Sequence, residues 1–281
     1  MTDGAGAHRG RVLIVAGSDS GGGAGIQADI KAVTALGGYA MTAVTAITVQ
    51  DTTGVHGVHP IPLDVVRGQI AVTMDDIGAD AVKTGMLGTV ETIEAVAAAL
   101  DAHRADAAAC PLVADPVMVA KGGAPLLEDR AVGAVRDLIL PRAALVTPNA
   151  PEAERLTGIA VGTLDGQRRA AEALMKAGAA AALVKGGHVP GDTVRDLLMT
   201  AHGEHVFEAP RIASRSTHGT GCTTASAIAC GLALGQPLDR AVGRAIAYVR
   251  RAIELAPGFG KGHGPLWHGW TVDPSRVPDK P

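Results

Sequence analysis

Six short aliphatic and β-branched runs recur along this chain, each ending on or followed by glycine or a polar residue and most followed by a stretch with helical spacing. They are Arg11–Gly17, Ala40–Val49, Ala81–Thr84, Leu112–Asp115, Ala144–Thr147 and Ala181–Lys185. Helical spacing marks Gly25–Leu36, Leu63–Ile77, Val90–His103, Asp129–Leu138 and Gln167–Ala177 between them. Strands apolar on both faces and alternating with helices predict an α/β fold, a mostly parallel sheet covered on both sides. Two further strands, Thr193–Met199 and His205–Ala209, flank the tight turn 201–204 and predict a small β-hairpin appended to the sheet edge. Two long helices, Gly221–Leu234 and Asp239–Glu254, close the pattern. No linker divides it, so residues 11–270 are expected to form one domain, with disordered tails at 1–10 and 271–281.

Composition removes several classes of function. The net charge of −3 supplies no basic field, and without a Lys/Arg run or interleaved aromatics the chain is not expected to bind nucleic acid. Three cysteines, Cys110, Cys222 and Cys230, form no C-x-x-C pair, so neither a disulfide framework nor a zinc site is indicated. Residues 1–11 lack the apolar core of a signal peptide, and no run suits a membrane span; a cytoplasmic protein is expected. Aromatic residues make up only 2% of the chain, so a ligand ring would lie between aliphatic or thioether side chains.

In open parallel sheets ligands gather at the carboxyl ends of the strands, where this chain concentrates its polar and glycine residues. The segment Ser216-Thr-His-Gly-Thr-Gly-Cys222 precedes a helix. Gly219 and Gly221 clear side chains from its first amides, which with Thr220 and the helix dipole suit a phosphoryl group. Cys222 falls in the first turn, where the same dipole predicts a lowered thiol pKa and a role as base or nucleophile. The glycine-rich segment Gly17–Gly25 partly fits a dinucleotide fingerprint, but its strand-to-helix turn is too long and Gln50 stands where an acidic ribose ligand is expected. No P-loop pattern occurs. That loop is instead expected to close over a small substrate, with Asp29 reaching back from the next helix. Asn149-Ala-Pro-Glu152 offers oxygen ligands to a hard cation, Glu152 with Asp115 sufficing for Mg²⁺ beside phosphate oxygens; the same pattern also caps a helix. Lys185, before Gly186-Gly187, is placed to neutralise phosphate charge. His188, His218 and His263 are not spaced as metal ligands.

Taken together, Val15–Asp29, Thr45–Gln50, Val82–Gly88, Asp115–Met118, Thr147–Glu152, Val184–His188 and His218–Cys222 resemble the hydroxymethylpyrimidine/phosphomethylpyrimidine kinases of thiamine biosynthesis, in order from about Arg11 to His268. The resemblance implies a ribokinase-like three-layer α/β/α sandwich, Mg²⁺ organised by Asn-x-x-Glu, and a Gly-Thr-Gly anion hole; it suggests a homodimer. It also implies transfer of the ATP γ-phosphoryl to 4-amino-5-hydroxymethyl-2-methylpyrimidine and then to its monophosphate. On this reading Gln50 pairs with the aminopyrimidine edge, Met86 and Val117 sandwich the ring, and Gly17 allows close backbone approach. Lys185, Thr217, Thr147 and Asn149 serve the nucleotide, and Cys222 accepts the hydroxymethyl proton. Sugar-kinase relatives carry Asp where this chain has Cys222. Two alternatives stand beside it: a pyridoxal or pyridoxine kinase of the same fold, and a non-catalytic pyrimidine sensor.

Overall fold

The computed structural model describes residues 10–104 and 106–276. Its centre is one nine-stranded sheet in the order β3-β2-β1-β4-β5-β6-β7-β8-β9. The strands are β1 (Arg11–Asp19), β2 (Tyr39–Gln50), β3 (Val55–Pro60), β4 (Ala81–Thr84), β5 (Leu112–Ala114), β6 (Leu145–Val146), β7 (Ala181–Val184), β8 (Thr193–Thr200) and β9 (Gly203–Pro210). Strands β2, β1, β4, β5, β6 and β7 run parallel, while β3, β8 and β9 join the two edges antiparallel. The six expected strands and the hairpin are all present. The hairpin turn is tighter than expected: Thr200 pairs with Gly203 across two residues.

Alternation along β1 divides the core. Val12, Ile14 and Ala16 face α1 (Gly25–Ala35), α7 (Thr220–Ala233) and α8 (Leu238–Glu254). Leu13 and Val15 face the opposite layer, built by α2 (Leu63–Asp76), α3 (Val90–His103), α4 (Ala131–Ala134), α5 (Ala150–Thr157) and α6 (Leu164–Lys176). The result is the three-layer α/β/α sandwich. Because the middle strands are buried on both faces, their sequences are nearly continuous aliphatic runs, which is why they are legible.

Three features depart from expectation. Strand β3 reads as loop because Gly57 and Pro60 interrupt a largely exposed run, yet as an edge strand it needs pairing on one side only. The helix expected over 129–138 breaks up: α4 passes into a π-turn at Val135–Ile139 and a 3-10 turn at Leu140–Arg142, where Pro141 has no N–H to continue the ladder. At the ends, Gly10 is buried so closely on Ala233 that a Cβ there would stand 2.6 Å from its carbonyl carbon, and Thr271 donates a hydrogen bond to the Ala35 carbonyl. The remainder of the expected tails, 1–9 and 277–281, lies outside the described residues.

Candidate active site

The carboxyl ends of the parallel strands open into a cavity of about 770 Å³. Gly17, Gln50, Met86, Asp115, Val117, Asn149, Glu152, Lys185, Thr217 and the run Gly219–Cys222 all line it. Residues separated by more than 200 positions thus share one site, because each lies at or near the carboxyl end of a parallel strand or the start of a helix.

The N-terminus of α7 forms one wall. Gly219, its N-cap, has φ +84°, and a Cβ there would lie 1.8 Å from the Gly23 carbonyl oxygen, so only glycine allows the two segments to meet. No side chain among the described residues caps this helix; the Thr220 amide reaches the Thr217 carbonyl at 3.4 Å, and Gly221 and Cys222 follow it along the cavity wall. A Cβ on Gly221 would stand 3.3 Å from Lys185 Nζ and 3.7 Å from Asp115 Oδ2, placing cation, carboxylate and helix end together. Lys185 Nζ donates to Asp115 Oδ1 at 3.0 Å, and Thr147 Oγ1 donates to the same oxygen at 3.0 Å. Burial opposes the charge on Lys185, but Asp115 and Glu152 outweigh it and hold its pKa above the ordinary lysine value.

Asn149 and Glu152 form a capping box on α5: Asn149 Oδ1 accepts from the Glu152 amide at 3.0 Å and Glu152 Oε2 accepts from the Asn149 amide at 2.9 Å. The capping role read from the sequence is therefore real, and it aims the carboxyl group at Lys185 and Asp115. Burial raises the Glu152 carboxyl to about 7, Lys185 opposing and Asp115 reinforcing the shift. A carboxyl group whose ionisation is opposed by burial and by a neighbouring carboxylate is a fitting donor to a divalent cation, which offsets both.

The opposite wall holds the acceptor end. A Cβ on Gly17 would meet the Met86 sulfur at 3.1 Å, so the bare backbone of one lies against the thioether of the other. Gln50 Oε1 accepts from Thr48 Oγ1 at 3.1 Å. Its Nε2 lies 3.4 Å from His218 Nε2, but that nitrogen is 2.9 Å from Asp19 Oδ2 and gives its proton to the carboxylate, leaving the Gln50 amide protons for a ligand. Asp19 also accepts from the amides of Gly21, Gly23 and Ala24. Burial works to raise the Asp19 carboxyl, but the bonds from His218, Ala24 and Gly21 outweigh it and lower its pKa. The glycine-rich loop thus spends its amides on its own Asp19, which explains physically why it is no dinucleotide cradle.

A match to the model of the phosphomethylpyrimidine kinase family runs over residues 19–267, nearly the whole cavity-forming chain. The chain belongs to the phosphomethylpyrimidine kinase family. Over 259 residues it is 46% identical to the hydroxymethylpyrimidine/phosphomethylpyrimidine kinase of Bacillus subtilis, covering 92% of this chain and 94% of that one. It is 52% identical over 261 residues, 92% of this chain, to the thiamine biosynthesis bifunctional protein of Geobacter sulfurreducens, of whose length it spans about half (52%). The pyridoxal kinase of Staphylococcus aureus, solved in complex with AMP-PCP and pyridoxal, superposes with a TM-score of 0.84 at 35% identity over 93% of this chain and 94% of that one.

Three site expectations for this kinase need correction. Asp29 does not face the cavity: it is fully buried and both its oxygens are engaged, one by Lys83 Nζ at 2.8 Å and the other by Ser226 Oγ at 2.7 Å. Thr147 is likewise buried behind the lining, where it orients Asp115 rather than reaching a nucleotide. The Cys222 thiol is not lowered. Burial pushes it up to about 12; Asp29 and Asp115 add to the rise, and neither the Lys83 charge nor a hydrogen bond with the Gly25 backbone restores it. The helix dipole sets where the thiol sits, while desolvation sets its protonation.

The partners of Asp19, His218 and Lys83 were what the sequence did not show. Asp19 and His218 meet across 199 positions. Lys83 had a signal available: a lysine inside the buried run Ala81–Thr84 requires a carboxylate partner, and Asp29 is an acidic residue on an otherwise buried helix face.

Proposed function

We propose that this chain uses Mg-ATP to phosphorylate the hydroxymethyl group of 4-amino-5-hydroxymethyl-2-methylpyrimidine and then the resulting monophosphate, yielding the diphosphate. The observation that carries this reading is the convergence of an amide matched to an aminopyrimidine, Gln50, and an uncapped helix end beside Lys185 in one cavity. The names of the Bacillus and Geobacter relatives support it.

The acceptor ring rests against Met86 and Val117, and the Gln50 side chain pairs with its amino group and ring nitrogen. The nucleotide phosphates lie along Asn149, Thr217 and Lys185. The amides of Gly219, Thr220, Gly221 and Cys222 hold the migrating phosphoryl group, fixed before the reaction begins. Glu152 and Asp115 would hold Mg²⁺, which when bound neutralises charge on the phosphate oxygens. Cys222 receives the hydroxymethyl proton. Because burial keeps its thiol protonated in the free protein, Cys222 takes up the hydroxymethyl proton as it releases its own to an oxygen of the transferred phosphoryl group, a relay that needs no free thiolate. Phosphoryl transfer tolerates a protonated thiol at this position, since positioning and charge neutralisation carry most of the rate. A cytoplasmic homodimer is the proposed working form, with exposed Ile47, Val49 and Val58 on the outer strands available to a second copy.

Likeness to the Staphylococcus pyridoxal kinase supports a second reading, phosphorylation of pyridoxal. Incubation of the protein with Mg-ATP and each acceptor separates the two by mass spectrometry of products. The proposal expects mono- and diphosphate from the pyrimidine; pyridoxal phosphate alone would replace it with the second reading.

A further inference from the structure

Behind the cavity wall lies a buried polar cluster that the roles above leave unused. Asp29 on α1 is bonded to Lys83 Nζ of β4 at 2.8 Å and to Ser226 Oγ of α7 at 2.7 Å. All three residues are fully buried. Lys83 nevertheless lines the cavity, and its ammonium folds back under Gly85, where a Cβ would approach Nζ to 2.8 Å. Apolar side chains of similar volume would hold a core as well as this cluster or better, so stability alone does not call for it.

Its placement follows from helix spacing. Ser226 lies one turn beyond Cys222 on α7, and Asp29 lies one turn beyond Gly25 on α1. Gly25 and Cys222 both line the cavity. Helices α1 and α7 are therefore tied by a rung one turn below the cavity, the Ser226–Asp29 hydrogen bond, with Gly25 and Cys222 above it at the cavity wall. Lys83 locks the rung to the sheet.

We infer that Asp29, Lys83 and Ser226 are positioning residues for phosphoryl transfer: the rung fixes the separation of α1 and α7, and so the place of the Cys222 sulfur and the helix-end amides. The inference rests on the phosphoryl-transfer reading above. A misplacement on the order of 1 Å in such a site costs roughly 100-fold in rate.

Two variants test it. Ser226→Ala removes the hydroxyl of the rung, and the double variant Asp29→Leu/Lys83→Met removes both charges together, leaving no unpaired buried ion. For each, kcat, KM for Mg-ATP, the thermal midpoint and the iodoacetamide reaction rate of Cys222 are measured, the last by peptide mass spectrometry with buried Cys110 and Cys230 as internal references. The double variant is expected to fold, lose roughly 100-fold in kcat with KM for Mg-ATP held within about threefold, and change its Cys222 reaction rate at least about threefold. Ser226→Ala is expected to lose about tenfold in kcat with KM for Mg-ATP unchanged. Folded variants with wild-type kcat, or a parallel collapse of nucleotide binding, overturn the inference. Should the double variant not fold, Ser226→Ala decides alone. A wild-type protein that phosphorylates neither pyrimidine nor pyridoxal refutes the phosphoryl-transfer reading instead; the thiol rate needs no substrate, and if both variants leave it unchanged the rung has no positioning role.

Discussion

Iodoacetamide treatment across a range of pH turns the environment of Cys222 into a measurable rate. Burial between α1 and α7 pushes its thiol up to about 12. At pH 8 a free thiol with a pKa of about 8.5 is roughly one-quarter ionised, while one at 12 is ionised in about 1 part in 10⁴, a ratio near 2,400. A more basic thiolate is also more nucleophilic, and with a Brønsted slope of about 0.45 over the roughly 3.5-unit difference it recovers about 40-fold. The net expectation is reaction about 60-fold slower than a free cysteine at pH 8, even though Cys222 opens onto the cavity. Peptide mass spectrometry after timed alkylation gives the rate, which should still be climbing at pH 10. A plateau at pH 8–9, or a rate equal to that of free cysteine, would refute the argument that desolvation overrides the helix dipole here, and would restore a preformed thiolate base.

Three further outcomes follow from the same geometry. The folded Glu152 carboxyl is raised from 4.5 to about 7, so its contribution to stability is full below 4.5 and is lost as pH rises through 7; Glu152→Gln lacks this loss. Urea unfolding should therefore show the variant gaining on wild type by on the order of 3 kcal/mol between pH 4.5 and 8, and parallel curves would contradict the raised carboxyl. Gly219→Ala forces a Cβ against Gly23 at φ +84° and should lower stability by about 2 kcal/mol or more and kcat by roughly 100-fold, whereas Gly122→Ala, whose nearest neighbour would be an ordinary 3.5 Å away, should change neither in thermal unfolding and turnover assays. Gln50→Leu removes the amide that faces the acceptor and should reduce kcat/KM for the pyrimidine about 100-fold or more with KM for ATP retained; steady-state kinetics with each substrate varied checks the split.

How much of this was legible in the sequence depended on how local the signal was. The parallel strands announce themselves because burial on both faces demands continuous aliphatic residues, as in Val12–Ala16. Strand β3 does not, since an edge strand with Gly57 and Pro60 carries neither alternation nor a closed apolar run. The site residues at strand ends were found by position, and most share the cavity. The errors came where position was right but the surroundings were not visible. Asp29 follows the glycine loop as a substrate ligand would, yet its helix face turns toward Lys83 and Ser226. Cys222 sits at the expected helix end, but its burial beside Asp29 and Asp115 is a property of four elements at once. The pairing of Asp19 with His218 likewise needs the folded chain, because nothing between them in sequence marks the contact.

The central claim is that this cavity accepts an aminopyrimidine and phosphorylates it twice. The most direct measurement is kcat/KM with saturating Mg-ATP for the hydroxymethylpyrimidine, its monophosphate and pyridoxal, taken on one preparation. The account predicts turnover of both pyrimidines, each at least about tenfold above pyridoxal, because the Gln50 donor and acceptor match an aminopyrimidine edge and not a ring bearing a hydroxyl. Turnover of pyridoxal ahead of both pyrimidines, or failure on the monophosphate, would contradict it.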